Sequence, residues 1–126
     1  MFPYKILAKK DTLKTNKTFY YATSIKMGSL GDVELLQRLS ERTKLHPIDC
    51  QRLLLHLAEL MADTLIEGKT VTLPEIGTFR ATLSSKGVED PKDFKTDYIK
   101  ALKVAFLPHK KMQIRLKRAQ FKKVRE

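Results

Sequence analysis

A disulfide framework is closed to this chain, because its only cysteine is Cys50. A thiol used so sparingly fits a reducing compartment. No apolar run approaches the roughly 20 residues needed to span a bilayer. The N-terminal stretch MFPYKILAKKDTLK lacks the apolar segment, roughly 7–15 residues long, that marks a secretory signal. A soluble, cytoplasmic protein is therefore expected. No internal repeat and no low-complexity segment interrupts the sequence. Glycine-rich phosphate loops, paired carboxylates in an apolar setting and a Ser–His–Asp order with supporting context are all missing, so no enzyme activity is expected. His46, His56 and His109 are scattered. His46 and Cys50 are four residues apart, but two ligands do not make a zinc site, so neither metal nor cofactor is expected. Cys50 reads as a small core or interface residue.

Acidic residues are also in short supply. Asp and Glu number 14 against 25 Lys and Arg, which leaves a net charge of +11 on 126 residues. The excess is uneven: +5 over residues 1–28, −3 over 29–68, +2 over 69–108 and +7 over 109–126. A basic surface attracts polyanions, and nucleic acid is the commonest in a cytoplasm. The plainer reading is a solvated, solubilising surface. The length suits one domain with one core.

Alternation and aromatic or β-branched content predict strands over 4–10 and 18–25, joined by the polar loop DTLKTNK into an N-terminal hairpin. GSLGD is a break, and Ser29 and Asp32 have the spacing of a capping box. DVELLQRLSERT then reads as a short helix with Val33, Leu36 and Leu39 at helical spacing. Pro47 suits the first position of a second helix, and Asp49 its first turn. That helix carries Leu54, Leu57, Met61 and Leu65 in one stripe, flanked by Leu53, Leu60 and Thr64. So wide a stripe implies burial on more than one side. Gly68 is placed to end the helix in a left-handed conformation.

Thr70 to Thr72 start a strand, Pro74 and Gly77 frame a tight turn, and Thr78 to Leu83 return. SSKGVEDPKDFKTD is a polar connector in which DPKDF has the makings of one helical turn. YIKALKVAF predicts a strand with Leu102, Val104 and Phe106 on one face and Lys103 and Ala105 on the other, ended by Pro108. HKKMQIRLKRAQF closes as a basic helix. The order gives an α+β fold with a mainly antiparallel sheet.

The two helices joined by a tight turn, followed by EGKTVTLPEIGTF, resemble the HU/integration-host-factor family of bacterial histone-like proteins. Gly68, Val71, Leu73, Gly77, Thr78 and Phe79 match its G-x-x-V-x-L-x-x-x-G-T-F run. Phe106, Pro108 and Lys110 match its closing F-x-P-x-K segment. The match covers about residues 32–84 and 99–120. The N-terminal hairpin lies outside the standard family, and with GVEDP-x-DF at Gly87 to Phe94 it is similar to the extended HU-like proteins of Bacteroidetes. The chain thus divides into a hairpin extension over 1–28 and an HU-like domain over 29–126, with a remodelled arm at 84–98.

The resemblance implies an intertwined homodimer in which Leu54, Leu57, Met61, Leu65, Phe79 and Phe106 build the interface. It also implies a saddle-shaped sheet with two arms that reach around double-stranded DNA in the nucleoid, with no membrane and no small-molecule substrate. The cations left to touch DNA are Lys69, Arg80, Lys86, Lys100, Lys103, Lys110, Lys111, Arg115, Lys117 and Arg118.

The sequence departs from the family where contact with DNA matters most. Family arms end in R-N-P, whose proline wedges between base pairs. Here Pro91 is the arm's one proline, preceded by Asp90, and it suits a turn or a first helical position better. Glu89, Asp90, Asp93 and Asp97 make the connector acidic against Lys86, Lys92 and Lys95. Outward positions after GTF are Arg80, Thr82 and Ser84, and the family's lysines at the starts of the first two helices are replaced by Asp32 and Pro47. Two readings follow: a histone-like architectural protein that touches phosphates with little sequence preference, or an HU-like fold turned into a protein-interaction module. The closing helix could also lie on a membrane, but its apolar face of Met112, Leu116 and Ala119 is thin, which favours packing on the sheet. Tyr4, Phe19, Tyr20 and Tyr21 have the rings to stack single-stranded bases, although strand aromatics more often build a core.

Overall fold

A computed structural model describes residues 1–11, 13 and 16–124. Its elements are β1 (Phe2–Lys10), β2 (Thr18–Ser24), α1 (Asp32–Thr43), α2 (Pro47–Ile66), β3 (Val71–Leu73), β4 (Gly77–Ser85), β5 (Ile99–Pro108), α3 (Lys110–Lys117) and β6 (Phe121–Lys123). They form an α+β fold with two three-stranded sheets, β2-β1-β6 and β3-β4-β5. The expected loop DTLKTNK between β1 and β2 lies partly outside the described residues.

The helix starts show where local chemistry wins. α1 begins at Asp32 itself, with Gly31 as its cap and no side chain bonded there. Ser29 is then two residues too early, so the expected capping box does not form. Asp32 and Glu34 act instead as charges in the first turn, where the helix dipole favours them. Pro47 opens α2 as expected, and the His46 Nδ1 accepts from the Ile48 N–H at 3.1 Å.

α2 ends in a Schellman motif. The Gly68 N–H donates to the Leu65 carbonyl at 3.0 Å and the Lys69 N–H to the Thr64 carbonyl at 3.3 Å. Gly68 takes φ +83°, which an L side chain rarely adopts. The chain therefore turns directly into β3.

The turn from β3 to β4 is tight. The Ile76 N–H donates to the Leu73 carbonyl at 3.2 Å. Gly77 has φ +151°, and a Cβ there would lie 2.6 Å from a Phe106 ring carbon and against the Leu107 carbonyl. Register then fixes the faces of β4–β5. Phe79 pairs with Phe106, Ala81 with Val104 and Leu83 with Leu102, while Arg80 pairs with Ala105 and Thr82 with Lys103. Alternation puts the first set on one face and the second on the other, as expected for β5.

The closing helix is shorter than its sequence suggested. It stops at Lys117, and Phe121–Lys123 form β6, which runs parallel to β1. The open edge of β1 offers backbone partners that a solvated helical turn cannot. Phe121 also meets the Phe2 ring edge-on at 6.2 Å.

α1 packs on α2, and α2 packs on β3 and β4. Among the described residues only Cys50 and Leu65 are buried apolar groups. Accessible surface totals 11498 Å², whereas a folded monomer of this mass exposes about 6,900 Å². Much apolar surface therefore stays open.

Candidate nucleic-acid interface

Strand alternation builds one polar sheet face. Thr72 on β3, Thr78, Arg80, Thr82 and Ser84 on β4, and Lys103 on β5 share it. Thr72 and Thr78 hydroxyls lie 3.1 Å apart, a cross-strand pair that steadies this surface. Arg80 and Lys103 are its two cations. Lys100 sits at the β-bulge where the register shifts between Ser84 and Ser85.

Beyond the bulge the arm closes on itself. Pro91–Asp93 form a short 3-10 turn with Pro91 at its start, and the Asp90 carboxylate accepts from the Lys92 N–H at 3.0 Å. The expected turn at DPKDF is thus present, and it places Pro91 as a helix-start residue. A second such turn, Thr96–Tyr98, leads into β5. Phe94 meets Tyr98 edge-on at 5.8 Å. The Lys86 ammonium lies 5.1 Å from the Tyr98 ring centroid, and the Lys86 backbone N–H donates to the Tyr98 carbonyl at 2.8 Å. This gives the short arm an ordered, acidic tip.

α3 starts at the opposite end of β5. Its N-cap is His109, whose Nδ1 accepts from the Lys111 N–H at 3.1 Å. The His109 N–H donates to the Ile76 carbonyl at 2.8 Å, which fixes α3 to the β3–β4 turn. Lys111 Nζ reaches Glu75 at 3.0 Å. That ammonium, by hydrogen bond and by charge, holds the Glu75 carboxyl below its ordinary range. Lys110, Arg115, Lys117 and Arg118 extend from α3 and its C-cap. Lys69 is paired with Glu67 at 3.2 Å.

The ten candidate cations therefore fall into four groups: Arg80 and Lys103 on the sheet face, Lys86 and Lys100 toward the arm, the five of α3 and its C-cap near the turn end, and Lys69 beside Glu67 at the end of α2. Among the described residues no cluster of His, Cys, Asp and Glu is arranged to hold a metal ion. None of the described helices is long and apolar enough to cross a membrane.

The candidate interface residues separate differently. Leu65 is buried within the chain, and Leu54, Leu57 and Met61 are half-buried beside it. Phe79 and Phe106 stack at 4.7 Å. Leu53 and Leu60, read from sequence only as flanks, are 59% and 63% exposed. Val33, placed by its spacing on the packed side of α1, is 81% exposed, and Leu35 joins Leu36 and Leu39 as the half-buried set. The surplus of leucines around α2 was the available signal, because one small sheet cannot cover two sides of a helix.

Residues 1–123 match a family model described as HU-HIG, an HU domain fused to a wHTH, Ig or glycine-rich motif. No curated protein matches. Among solved structures, one similar chain is a Bacteroides vulgatus protein titled, provisionally, as a bacterial DNA-binding protein. Its TM-score is 0.68 at 11% identity, over 98% of this chain and 48% of that one. This chain thus spans about half the length of the Bacteroides protein. Another is Anabaena HU in a cocrystal with DNA, with a TM-score of 0.52 at 19% identity, over 68% of this chain and 96% of that one. At these identities the likeness is one of fold.

Proposed function

This chain belongs to the HU-HIG family, and we propose that it is a homodimeric, histone-like architectural protein that binds double-stranded DNA in the nucleoid. The observation that carries this reading is the polar face of β4–β5, which joins Arg80 and Lys103 to strands running out into an arm. The HU cocrystal neighbour, which holds DNA, supports the same assignment. Contacts go to phosphates: Lys and Arg supply charge without base-edge geometry, so affinity falls steeply with salt and sequence preference is weak. The acidic tip of the arm and the position of Pro91 argue against a sharp wedge-driven kink. The reading carries no catalytic step and needs no cofactor.

The open surface supports the homodimer. Leu53 and Leu60 lie one above the other on α2, two turns apart, facing solvent in a single chain. A second copy covers them and removes surface that a lone chain of this mass cannot sustain. Replacing both by aspartate puts charge into that contact. The L53D/L60D variant is expected to sediment as a monomer at micromolar concentration, where the parent sediments as a dimer. A dimeric variant would overturn the assignment of that face.

The test of DNA binding is a duplex titration by fluorescence anisotropy at two salt concentrations. A variant with Lys110, Lys111, Arg115, Lys117 and Arg118 changed to alanine is measured beside the parent. Removal of five phosphate contacts is expected to lower affinity by about a hundredfold at low salt and to flatten the salt slope. The competing reading, an HU-like fold serving protein interaction, draws on the acidic arm tip with Glu89, Asp90, Asp93 and Asp97. A folded dimer without duplex affinity at low salt would favour it.

A further inference from the structure

The N-terminal sheet β2-β1-β6 has two faces of different chemistry. On one, Phe2, Tyr4, Ile6 and Phe121 lie together, with Tyr20 and Ala22 across from β1, as a mainly apolar surface with Lys10 and Lys123 at its ends. On the other, rings on β2 stand beside lysines on β1 and β6. Lys9 pairs with Phe19, Leu7 with Tyr21, Lys5 with Thr23 and Pro3 with Lys122. Alternation places all of these side chains on the same side of the pleat. Phe19 and Tyr21 are 44% and 54% exposed, and with Leu7 and Lys9 they line an open groove of about 710 Å³.

Six of the chain's ten aromatic residues lie in these three strands. Across the strands and their connecting loop Asp11 is the lone acid, against seven lysines. A face that needed only an apolar protein partner would resemble its opposite side, where the rings are contiguous and the lysines stand at the ends. Rings spaced two residues apart, about 7 Å along a strand, with a lysine across the ladder from Phe19, suit a ligand of flat bases joined by phosphates. The rings stack the bases and the ammoniums meet the backbone. A duplex keeps its bases stacked inside and cannot use the rings.

We propose that this face, centred on Phe19, Tyr21 and Lys9 and running along the sheet to Lys122, binds single-stranded DNA. The choice of DNA as the strand's source rests on the duplex reading above, since a protein held on duplex meets single strands at gaps and overhangs. The base-stacking chemistry does not depend on that reading. Two binding surfaces on one chain would let it hold a junction between paired and unpaired DNA.

The test uses the full chain and a labelled dT12 oligonucleotide, with a duplex and an rU12 strand measured in parallel. Wild type is expected to bind dT12 more tightly than rU12, with affinity that weakens as salt rises. F19A/Y21A is expected to lose tenfold or more in dT12 affinity, about tenfold for each stacking ring, while duplex affinity stays within twofold. Y20A, on the opposite face, is expected to leave dT12 binding unchanged. Should F19A/Y21A fail to fold by circular dichroism, the exposed charge reversal K9E/K122E replaces it, and the same loss is expected. No dT12 binding by folded wild type would overturn the proposal, as would equal affinity in wild type and variant, loss in Y20A, or tighter binding of rU12. The five-residue α3 variant separates the two readings: duplex binding lost with dT12 binding kept supports both, while dT12 binding lost in F19A/Y21A with the duplex untouched isolates the sheet.

Discussion

The chain's two sheets have equal strand numbers and opposite designs. In β3-β4-β5, Val71, Phe79, Phe106, Ala81, Val104, Leu83 and Leu102 make one face wholly apolar, and the other mixes threonines, serine and two cations with Ala101, Ala105 and Leu107. α2 packs on β3 and β4, and α3 is tied to the β3–β4 turn through Ile76 and Glu75. In β2-β1-β6, both faces carry large side chains, and no helix covers either one broadly. A sheet with a clean apolar face declares what it packs on. A sheet with rings on both faces must find partners outside its own fold, and stays stable mainly through its own ladder. Damage to the first sheet should therefore spread through the domain, and damage to the second should stay local.

Gly77→Ala gives the largest expected effect. The added Cβ meets the Leu107 carbonyl and the Phe106 ring, at a φ that alanine avoids. Strain and overpacking together should destabilise by about 4 kcal/mol. Urea denaturation monitored by circular dichroism should show the helices lost along with the sheet, because α2 rests on it. A variant with wild-type midpoint would mean that the turn relaxes and that the two sheets are less different than they look.

Phe121→Ala tests the other side. It removes the Phe2–Phe121 contact that anchors β6 to β1. Since Phe121 is largely exposed, the expected loss is about 1 kcal/mol. Hydrogen exchange should quicken at β6 and at the β1 amides, with the amides of α2 unchanged. If exchange in α2 quickens equally, the sheets are one cooperative unit.

His109→Ala probes the joint between β5 and α3. Loss of its Nδ1 acceptor leaves the Lys111 N–H without its cap, at a cost of about 1 kcal/mol. Asparagine, which caps well, should restore most of it.

How much of this was legible in advance follows the same division. Gly68 and the GTF turn could be placed from sequence because backbone conformation restricts which residues fit. The β5 faces were legible because Leu102, Val104 and Phe106 alternate with Lys103 and Ala105 along the strand. β6 was not, because FKKV follows a helical pattern without a break, and its strand state depends on the edge of β1 more than a hundred residues away. The Ser29 box failed because α1 starts later, with Gly31 as its cap, and spacing alone does not fix a helix start. Among the site residues, sequence named the cations but not their partners. Lys69 and Lys111 are tied to Glu67 and Glu75, and the pair that joins positions 75 and 111 exists only through the fold. Leu53 and Leu60 were visible as excess leucine, yet which side of α2 stays open required α1 and the sheet to be in place.

The smallest effect concerns Glu75, and it reaches the proposed function. Lys111 holds its carboxyl below the ordinary value, so the folded state favours the ionised form. The contribution to stability is then fully present above the ordinary carboxylate range and is lost as pH falls through the lowered folded value. Both side chains are exposed, so solvent screens the pair and the change in melting should be slight. Glu75→Gln should remove that acid-side dependence and melt almost as the parent does at neutral pH. Its effect on DNA should run the other way. The change is one of charge alone, since glutamine leaves the Lys111 ammonium uncompensated and the turn end of the sheet more positive. If Lys111 meets phosphate, duplex affinity should rise by about twofold at low salt and converge with the parent at high salt. An unchanged affinity at low salt would remove Lys111 from the contact set and leave α3 to act through Lys110, Arg115, Lys117 and Arg118.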